Sequence, residues 1–177
     1  DASEVVRRLK SQGVERVVML TGDNRRVARA IAEKAGVDEY FAEMLPEDKV
    51  RALKALRQQF GTVAMVGDGV NDAPALASAS IGIAMGAAGT DVALETADVV
   101  LMSDDLKKIP YLIALSRKTR KTLIINVSFA LAMILVLIAG ILVIDLPLPL
   151  SVLGHEGGTV LVVLNGLRLL AFRGGAD

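Results

Sequence analysis

The sequence predicts an α/β domain with a parallel sheet, followed by a hairpin of two transmembrane helices. Short apolar strands alternate with amphipathic helices in the N-terminal half, which is typical of a parallel sheet covered on both faces. Charged residues are concentrated before residue 122, and residues 122–172 hold almost none. Within that apolar part, residues 127–144 form an uncharged run of 18 residues, long enough with its flanks to cross a bilayer.

The composition excludes several classes of partner and site. The 177 residues carry 20 basic and 20 acidic side chains, a net charge of +0, so we expect no nucleic-acid partner. The chain has 0 cysteines, which excludes disulfides and thiolate metal sites within it. The first residue is not Met and leads directly into a helical pattern without a signal peptide. We therefore expect an upstream portion of the same protein to precede this chain.

The elements of the soluble part are predicted from apolar periodicity and from the residues that end them. Gly13 and Gly36 end the first two helices, and Pro46 begins the third. The predicted order is helix Ser3–Gln12, strand Arg16–Leu20, helix Asn24–Ala35, helix Pro46–Gln59, strand Thr62–Val66, helix Ala73–Ala79, strand Ile81–Met85, helix Thr90–Thr96 and strand Asp98–Met102. Ligands of such folds bind at the carboxyl ends of the strands, where the candidate residues lie.

The loop after the strand Thr62–Val66 is the most informative segment. Residues 67–74 read Gly-Asp-Gly-Val-Asn-Asp-Ala-Pro, with Asp68 between two glycines and Asp72 four residues later. Glycines allow the backbone and an ion to approach closely, and carboxylate oxygens are ligands that Mg²⁺ prefers. A tight turn with a solvated Asp68 is the alternative. The whole string favours a magnesium and phosphate site at Asp68 and Asp72.

A second loop, Thr21-Gly22-Asp23, follows the first strand and precedes a helix. The Thr21 hydroxyl and free N–H groups at a helix N-terminus suit a phosphate oxygen. The alternative is that Asp23 or Asn24 only caps the helix. The sequence leaves both readings open.

Lys49 is a third candidate because of its place in a helix. It lies in the first turn, where the helix dipole favours anions such as Glu47 and Asp48. A nearby phosphate would explain a lysine at this position. An ordinary surface lysine is the alternative.

Thr21-Gly22-Asp23, the run Leu45-Pro46-Glu47-Asp48-Lys49 and the loop of residues 67–74 follow one another in this order along the chain. Together they resemble the phosphorylation domain of P-type ATPases, in the haloacid dehalogenase superfamily. The resemblance covers essentially the whole chain and implies a Rossmann-like parallel sheet of the haloacid dehalogenase type, which is incomplete here. It implies that Mg²⁺ and ATP are cofactors, with the nucleotide domain outside this chain. The implied catalytic residues are Thr21, Gly22, Asp23, Lys49, Asn71 and Asp72; of these, Thr21, Gly22 and Lys49 hold the phosphoryl group, while Asp68 and Asp72 hold Mg²⁺.

The chain departs from this family at the nucleophile. The family's nucleophile is an Asp in an Asp-Lys-Thr-Gly-Thr motif, and this chain has no such motif. The resemblance implies that the nucleophile lies upstream, on a strand between those ending at Thr21 and Asp68. We therefore predict that this chain alone forms no phosphoenzyme and hydrolyses no ATP.

The apolar part is predicted to form two spans joined by a turn. The turn that begins at Asp145 contains Pro147 and Pro149, which break the first helix, and residues 150–172 form the second span. Basic residues lie at the outer ends of both spans, namely Arg117, Lys118, Arg120, Lys121, Arg168 and Arg173. The positive-inside rule places both ends in the cytoplasm and the turn outside. We predict an integral protein of the plasma membrane, with residues 1–121 cytoplasmic.

These patterns define four predicted segments. Residues 1–104 form the C-terminal part of the phosphorylation domain, and residues 105–121 form a cytoplasmic linker helix. Residues 122–172 form the two transmembrane helices, and residues 173–177 form a cytoplasmic tail. We expect the linker helix to transmit domain motion to the membrane pair.

His155 and Glu156 are the candidate ligands within the apolar part. His155 is the only histidine of the chain, and imidazole with carboxylate suits Zn²⁺ or Co²⁺. A solvated pair at the outer membrane edge is the alternative. Adjacent residues point about 100° apart on a regular helix, so both bind one ion only with a distortion or an outside ligand. Gly157 and Gly158 permit either close helix packing or local unwinding.

The run His155–Thr159, His-Glu-Gly-Gly-Thr, is similar to the cobalt/zinc-type subgroup of heavy-metal P-type ATPases. The resemblance implies that His155, Glu156 and Thr159 contact the transported ion. That subgroup also uses a Ser-Pro-Cys motif, which this chain lacks. Asn126, Ser128 and Asn165 are expected to form interhelical hydrogen bonds rather than to bind the ion.

The predicted function is ATP-driven export of a divalent heavy-metal cation through an aspartyl-phosphate. The expected partners are the transported ion, the lipid membrane and the upstream portion of the same protein. One alternative is a membrane-anchored phosphatase of the haloacid dehalogenase type. Another is an inactive truncated or regulatory fragment.

Overall fold

The computed structural model describes residues 2–68, 71–86, 95–103 and 105–172. It divides into two compact units, Asp1–Pro110 and Tyr111–Asp177, which are described separately. The elements of the first unit are α1 Ala2–Ser11, β1 Val18–Leu20, α2 Arg25–Ala35, β2 Glu39–Phe41, α3 Pro46–Phe60, β3 Ala64–Gly67, α4 Ala73–Ser78, β4 Ile81–Met85 and β5 Val99–Leu101. The predicted α/β class is confirmed.

Most of the predicted elements occur with small shifts at their ends, and one strand was missed. The strand β2 was not predicted, because its three residues are all exposed and form no apolar run. The predicted helix Thr90–Thr96 falls mainly on residues 87–94, outside the described residues.

The strands pair in parallel, as predicted. β1 pairs with β2, so that Val18 lies opposite Glu39. β3, β4 and β5 pair in sequence order in a second sheet. Within the described residues, β1 and β3 belong to different sheets. A strand between them, as the resemblance implies, stays a prediction.

The core of the first unit lies between α3, α4 and the larger sheet. Leu53 of α3 and Leu76 of α4 are each at most 2% exposed, and they cluster with Met65 and Ala84 of the strands. A Cβ on Gly82 would lie 2.8 Å from the Leu76 carbonyl oxygen, so this glycine lets α4 approach β4 closely. This packing fixes the loop that leaves β3.

The second unit consists mainly of two long helices. α5 spans Lys108–Ile144, and α6 spans Leu148–Leu167 before a 3₁₀ turn, Arg168–Ala171. Both are long and apolar enough to cross a membrane by length and composition. α5 begins in the first unit, so the predicted linker and the first span share one continuous helix.

The two helices of the hairpin pack through small side chains and one polar contact. Gly158 is buried, and a Cβ on it would lie 3.4 Å from Met133 Cγ. Asn165 Nδ2 donates to Asn126 Oδ1 at 2.7 Å, and Asn126 Nδ2 donates to the Val162 carbonyl at 3.3 Å. The interhelical bond expected of Asn126 and Asn165 is therefore confirmed.

Ser128, the third residue of that group, is exposed on α5. The turn between the helices begins at Asp145, whose φ of 49° is left-handed. The predicted break of the helix at this position is confirmed, since α5 ends at Ile144.

Candidate functional site

The Thr21 loop is ordered by bonds among its own residues. Thr21 Oγ1 accepts a hydrogen bond from the Asp23 amide at 3.1 Å and donates to Asp23 Oδ2 at 3.0 Å. Asn24 Oδ1 accepts from the Val27 amide at 3.0 Å, so Asn24 is the N-cap of α2. The capping alternative is thus correct for Asn24, while Asp23 holds the Thr21 hydroxyl.

The segment after β2 runs beside this loop and leads into α3. The Thr21 amide donates to the Phe41 carbonyl at 2.9 Å, and the Met44 amide donates to the Thr21 carbonyl at 3.1 Å. A Cβ on Gly22 would lie 3.4 Å from the Met44 carbonyl oxygen. Because Pro46 begins α3 two residues later, the start of that helix is tied to the Thr21 loop.

Lys49 forms a largely buried ion pair with Asp72. Lys49 Nζ lies 2.5 Å from Asp72 Oδ1, and the two side chains are 14% and 15% exposed. Asp72 stands at the N-cap position of α4, but its side chain makes no capping bond. It is directed to Lys49 instead. Lys49 is therefore not the ordinary surface lysine that the sequence left open.

Asp48, beside Lys49, shapes the first turn of α3. Its carboxylate accepts a hydrogen bond from the Leu45 amide at 3.0 Å and pairs with Arg51. The Arg51 hydrogen bond, followed by that of the Leu45 amide, holds the pKa of Asp48 below its ordinary value. Asp48 thereby supplies the negative charge that a helix N-terminus favours, while Lys49 pairs with Asp72 instead.

The end of β3 is shaped to receive the Asp72 side chain. A Cβ on Gly67 would lie 2.9 Å from both Asp72 Cβ and Asp72 Oδ2, so only glycine leaves room there. Asp68 follows directly, and Asp68 and Asn71 are both exposed. Residues 69–70 of this loop lie outside the described part of the chain.

The donor set at the end of β3 suits a hard dication. Asp68 and Asp72 offer carboxylate oxygens, although Lys49 already engages Asp72 Oδ1. No three histidine, cysteine or acidic side chains converge on one point within the described ranges. A Mg²⁺ ion would therefore complete its shell with water and phosphate oxygens, as this ion commonly does. The residues present fit Mg²⁺.

The candidate ligands of the apolar part lie on one unbroken helix. His155, Glu156 and Thr159 are exposed on α6, and Thr159 Oγ1 donates to the His155 carbonyl at 3.2 Å. Of the two roles expected of the glycines, close packing is observed at Gly158, and α6 is not unwound there. Glu156 precedes Gly158 by two residues, so it lies on the side of α6 away from α5.

Sequence reasoning missed an open cavity at the carboxyl end of β2. Its volume is about 450 Å³. It is lined by Arg25, Tyr40, Phe41, Ala42, Glu43, Met44 and Asp48. No sequence signal pointed to it, because β2 itself is too short and too exposed to be predicted.

Comparison with protein families finds a match within the first unit. Residues 1–80 match the family of haloacid dehalogenase-like hydrolases. The catalytic CPx-ATPase domain CopB-B has a similar structure, with 36% identity and a TM-score of 0.57 over 64% of this chain and 45% of that chain. A deoxy-D-mannose-octulosonate 8-phosphate phosphatase from Haemophilus influenzae shares the fold, at 21% identity and a TM-score of 0.57 over 67% of this chain and 71% of that chain.

Similar proteins match both units. The chain is 53% identical over 170 residues to the zinc-transporting ATPase of Bacillus subtilis, covering 96% of this chain and 26% of that protein. It is 52% identical to a probable cadmium-transporting ATPase of Listeria monocytogenes, covering 96% of this chain and 24% of that protein. A probable cobalt/nickel-exporting P-type ATPase of Mycolicibacterium smegmatis is 49% identical, covering 98% of this chain and 27% of that protein. The chain thus spans about a quarter of the length of these relatives.

Proposed function

We propose that this chain belongs to an ATP-driven exporter of a divalent heavy-metal cation, because residues 1–80 match the family of haloacid dehalogenase-like hydrolases and the chain is similar to zinc-, cadmium- and cobalt/nickel-transporting ATPases. One observation carries the proposal. The likeness to the zinc-transporting ATPase, 53% over 170 residues, extends through the catalytic motifs and both apolar helices alike.

In this proposal the soluble unit stabilises a phosphoryl group on an aspartate supplied from outside the chain. Phosphoryl transfer depends mainly on positioning and on neutralising the charge of the equatorial oxygens. Lys49 supplies a positive charge, and the Thr21 hydroxyl with the Gly22 backbone supplies neutral hydrogen-bond donors. Asp72 holds the Lys49 ammonium 2.5 Å from its Oδ1 atom, which fixes that charge before the phosphoryl group arrives.

Asp68 would hold Mg²⁺ beside this pair, with Asp72 Oδ2 and the Asn71 side chain in support. When bound, the ion neutralises phosphoryl oxygens and helps to orient the group. Asp23 acts indirectly, since it fixes the orientation of the Thr21 hydroxyl through the 3.0 Å bond. By itself the chain would form no phosphoenzyme, because the nucleophile is not part of it.

His155, Glu156 and Thr159 are the proposed contacts of the transported ion. Their nitrogen and oxygen donors suit borderline cations, and the relatives are named for zinc, cadmium and cobalt or nickel. Because Glu156 lies on the side of α6 away from α5, further ligands would come from membrane helices outside this chain. The ion would be released to the side of the Asp145 turn.

The membrane-anchored phosphatase has less support. The phosphatase structure resembles this chain at 21% identity, which concerns the fold of the soluble unit alone. The relatives that match both units are named as transporting ATPases. A simple anchor also does not explain His155 and Glu156, because an ionisable side chain within a transmembrane helix is costly in free energy.

Metal-stimulated ATP hydrolysis by the intact protein tests the catalytic part of the proposal. Lys49→Met removes the charge that neutralises the phosphoryl group, so we expect turnover to fall about 100-fold to 1,000-fold. Lys54→Met is the matched control, because Lys54 is exposed on the same helix and should leave turnover unchanged. Equal activity of the two variants would refute the assigned role of Lys49.

Metal dependence tests the transport part. The double change His155→Ala and Glu156→Ala should raise the metal concentration that gives half-maximal turnover by more than about tenfold. Leu153→Ala is the control, since Leu153 is an exposed apolar neighbour on α6. Unchanged metal stimulation and unchanged export in the double variant would favour the phosphatase.

A further inference from the structure

A side-chain amide at the end of α1 contacts the first turn of α5. Gln12 Nε2, at the end of α1, donates to the Pro110 carbonyl at 3.1 Å across 98 residues of sequence. At the other end of α1, Glu4 Oε2 lies 4.0 Å from Lys107 Nζ. Ile109 and Pro110 are both buried. All these contacts lie within the first unit.

The Gln12 amide is only half satisfied. Its Oε1 atom is buried and has no hydrogen-bond partner among the described residues, while Nε2 bonds to Pro110. A buried acceptor without a partner destabilises a fold, and an apolar side chain of the same shape is then nearly neutral or stabilising. Packing alone therefore does not explain a glutamine here. Buried polar atoms without a hydrogen-bond partner are concentrated at sites where function requires them.

The elements on either side of this bond lead to the two chemical sites. α1 packs on α2, which begins directly after the Thr21 loop, and Lys10 of α1 pairs with Asp38 at 2.6 Å just before β2. The Lys10 hydrogen bond, followed by that of the Val17 amide, lowers the pKa of Asp38 and keeps it ionised for this contact. On the other side, α5 continues without a break from Lys108 to Ile144.

We infer that Gln12 is a positioning residue that couples the phosphoryl site to the membrane helices. Its Nε2–Pro110 bond makes the start of α5 follow α1 and α2 when the Thr21 loop changes its ligand. The consequence for transport rests on the proposed function, whereas the bond itself does not. α5 is one continuous helix from Lys108 to Ile144, so a displacement of its first turn is passed on to the residues that follow it.

Three variants separate coupling from stability. Gln12→Met removes the donor together with the unpaired acceptor, and we expect a melting temperature equal to or above that of the parent. Gln12→Lys keeps a donor and is compatible with the C-terminal end of α1, where the helix dipole favours a cation. Gln58→Met is the matched control, because Gln58 is exposed on α3.

Hydrogen exchange on this chain in detergent tests the bond directly. Gln12→Met should speed amide exchange in the first turns of α5 at least about fivefold, while Gln12→Lys and Gln58→Met should match the parent. Equal exchange in all four proteins would overturn the inference.

Transport by the intact protein in sealed vesicles tests the consequence. Gln12→Met should lower the number of ions moved per ATP hydrolysed by about fivefold or more, with ATP hydrolysis retained, and Gln12→Lys should restore the ratio. An unchanged ratio in Gln12→Met overturns the coupling role. If the unmodified protein shows no metal-stimulated hydrolysis, the proposed function fails instead, and the exchange experiment alone decides whether Gln12 holds α5.

Discussion

Gly67 determines whether Lys49 and Asp72 can meet. A methyl group at this position would lie 2.9 Å from Asp72 Cβ and Oδ2, closer than real contacts allow. The largely buried ion pair therefore depends on this space, since the Asp72 side chain that binds Lys49 occupies it. The glycine matters here for close approach rather than for an unusual backbone angle.

We therefore predict that Gly67→Ala displaces Asp72. The chain should lose about 1–3 kcal/mol of unfolding free energy, the usual cost of inserting a methyl group into a packed site. Urea unfolding of the chain in detergent measures this change. Gly166→Ala is the control, because nothing lies within 4 Å of a Cβ there and alanine suits a helix. Wild-type stability of Gly67→Ala would show that Asp72 does not depend on this space.

Candidate residues can be named from sequence where their chemistry is local. Thr21, Lys49 and Asp68 were singled out because a strand end, a helix first turn and a glycine-bracketed carboxylate are visible in sequence, and their roles stay predictions. The pairing of Lys49 with Asp72 was not predictable, since it depends on how α3 packs on α4. The choice between Asp23 and Asn24 as cap depends on side-chain rotation, which no pattern encodes.

At the scale of elements, predictions succeeded where apolar periodicity is strong. The strand Ile81–Met85 was predicted with its observed bounds, and it is the most buried strand. The strand Glu39–Phe41 was missed because an exposed edge strand needs no apolar pattern and is defined only by its bonds to β1. Sequence thus predicts buried elements better than those that pair at an edge.

The pairing of α5 with α6 includes a testable polar contact. Apolar side chains provide little driving force between helices in lipid, so close packing and interhelical hydrogen bonds hold the pair. We expect Asn126→Leu and Asn165→Leu to be coupled in a double-mutant cycle by about 0.6 kcal/mol, and by no more than about 1.7 kcal/mol. Thermal unfolding in detergent measures the coupling. Ser128→Ala, on the exposed side of α5, should show none with Asn165→Leu.

At the scale of the whole molecule, charge is divided sharply along the chain. Nearly all charged residues lie in the first unit and the base of α5, and the spans that follow expose mainly apolar side chains. Such an extended apolar surface is unfavourable in water and favourable in the hydrocarbon of a bilayer. The same division predicts an orientation in the membrane, because the basic residues lie at the outer ends of the two apolar helices and the turn at Asp145 has none.

The predicted topology can be tested with single cysteines, since the chain has 0 of its own. Asp145→Cys, in the turn, should react with an impermeant maleimide in sealed right-side-out vesicles, because the basic flanks hold both ends of the hairpin inside. Lys54→Cys, exposed on α3, should react only after detergent opens the vesicles. The reverse pattern would invert the topology, and reaction of both positions in sealed vesicles would show that the apolar helices do not span. The result also bears on the proposed export, since an outward turn places the proposed release side of the ion outside the cell.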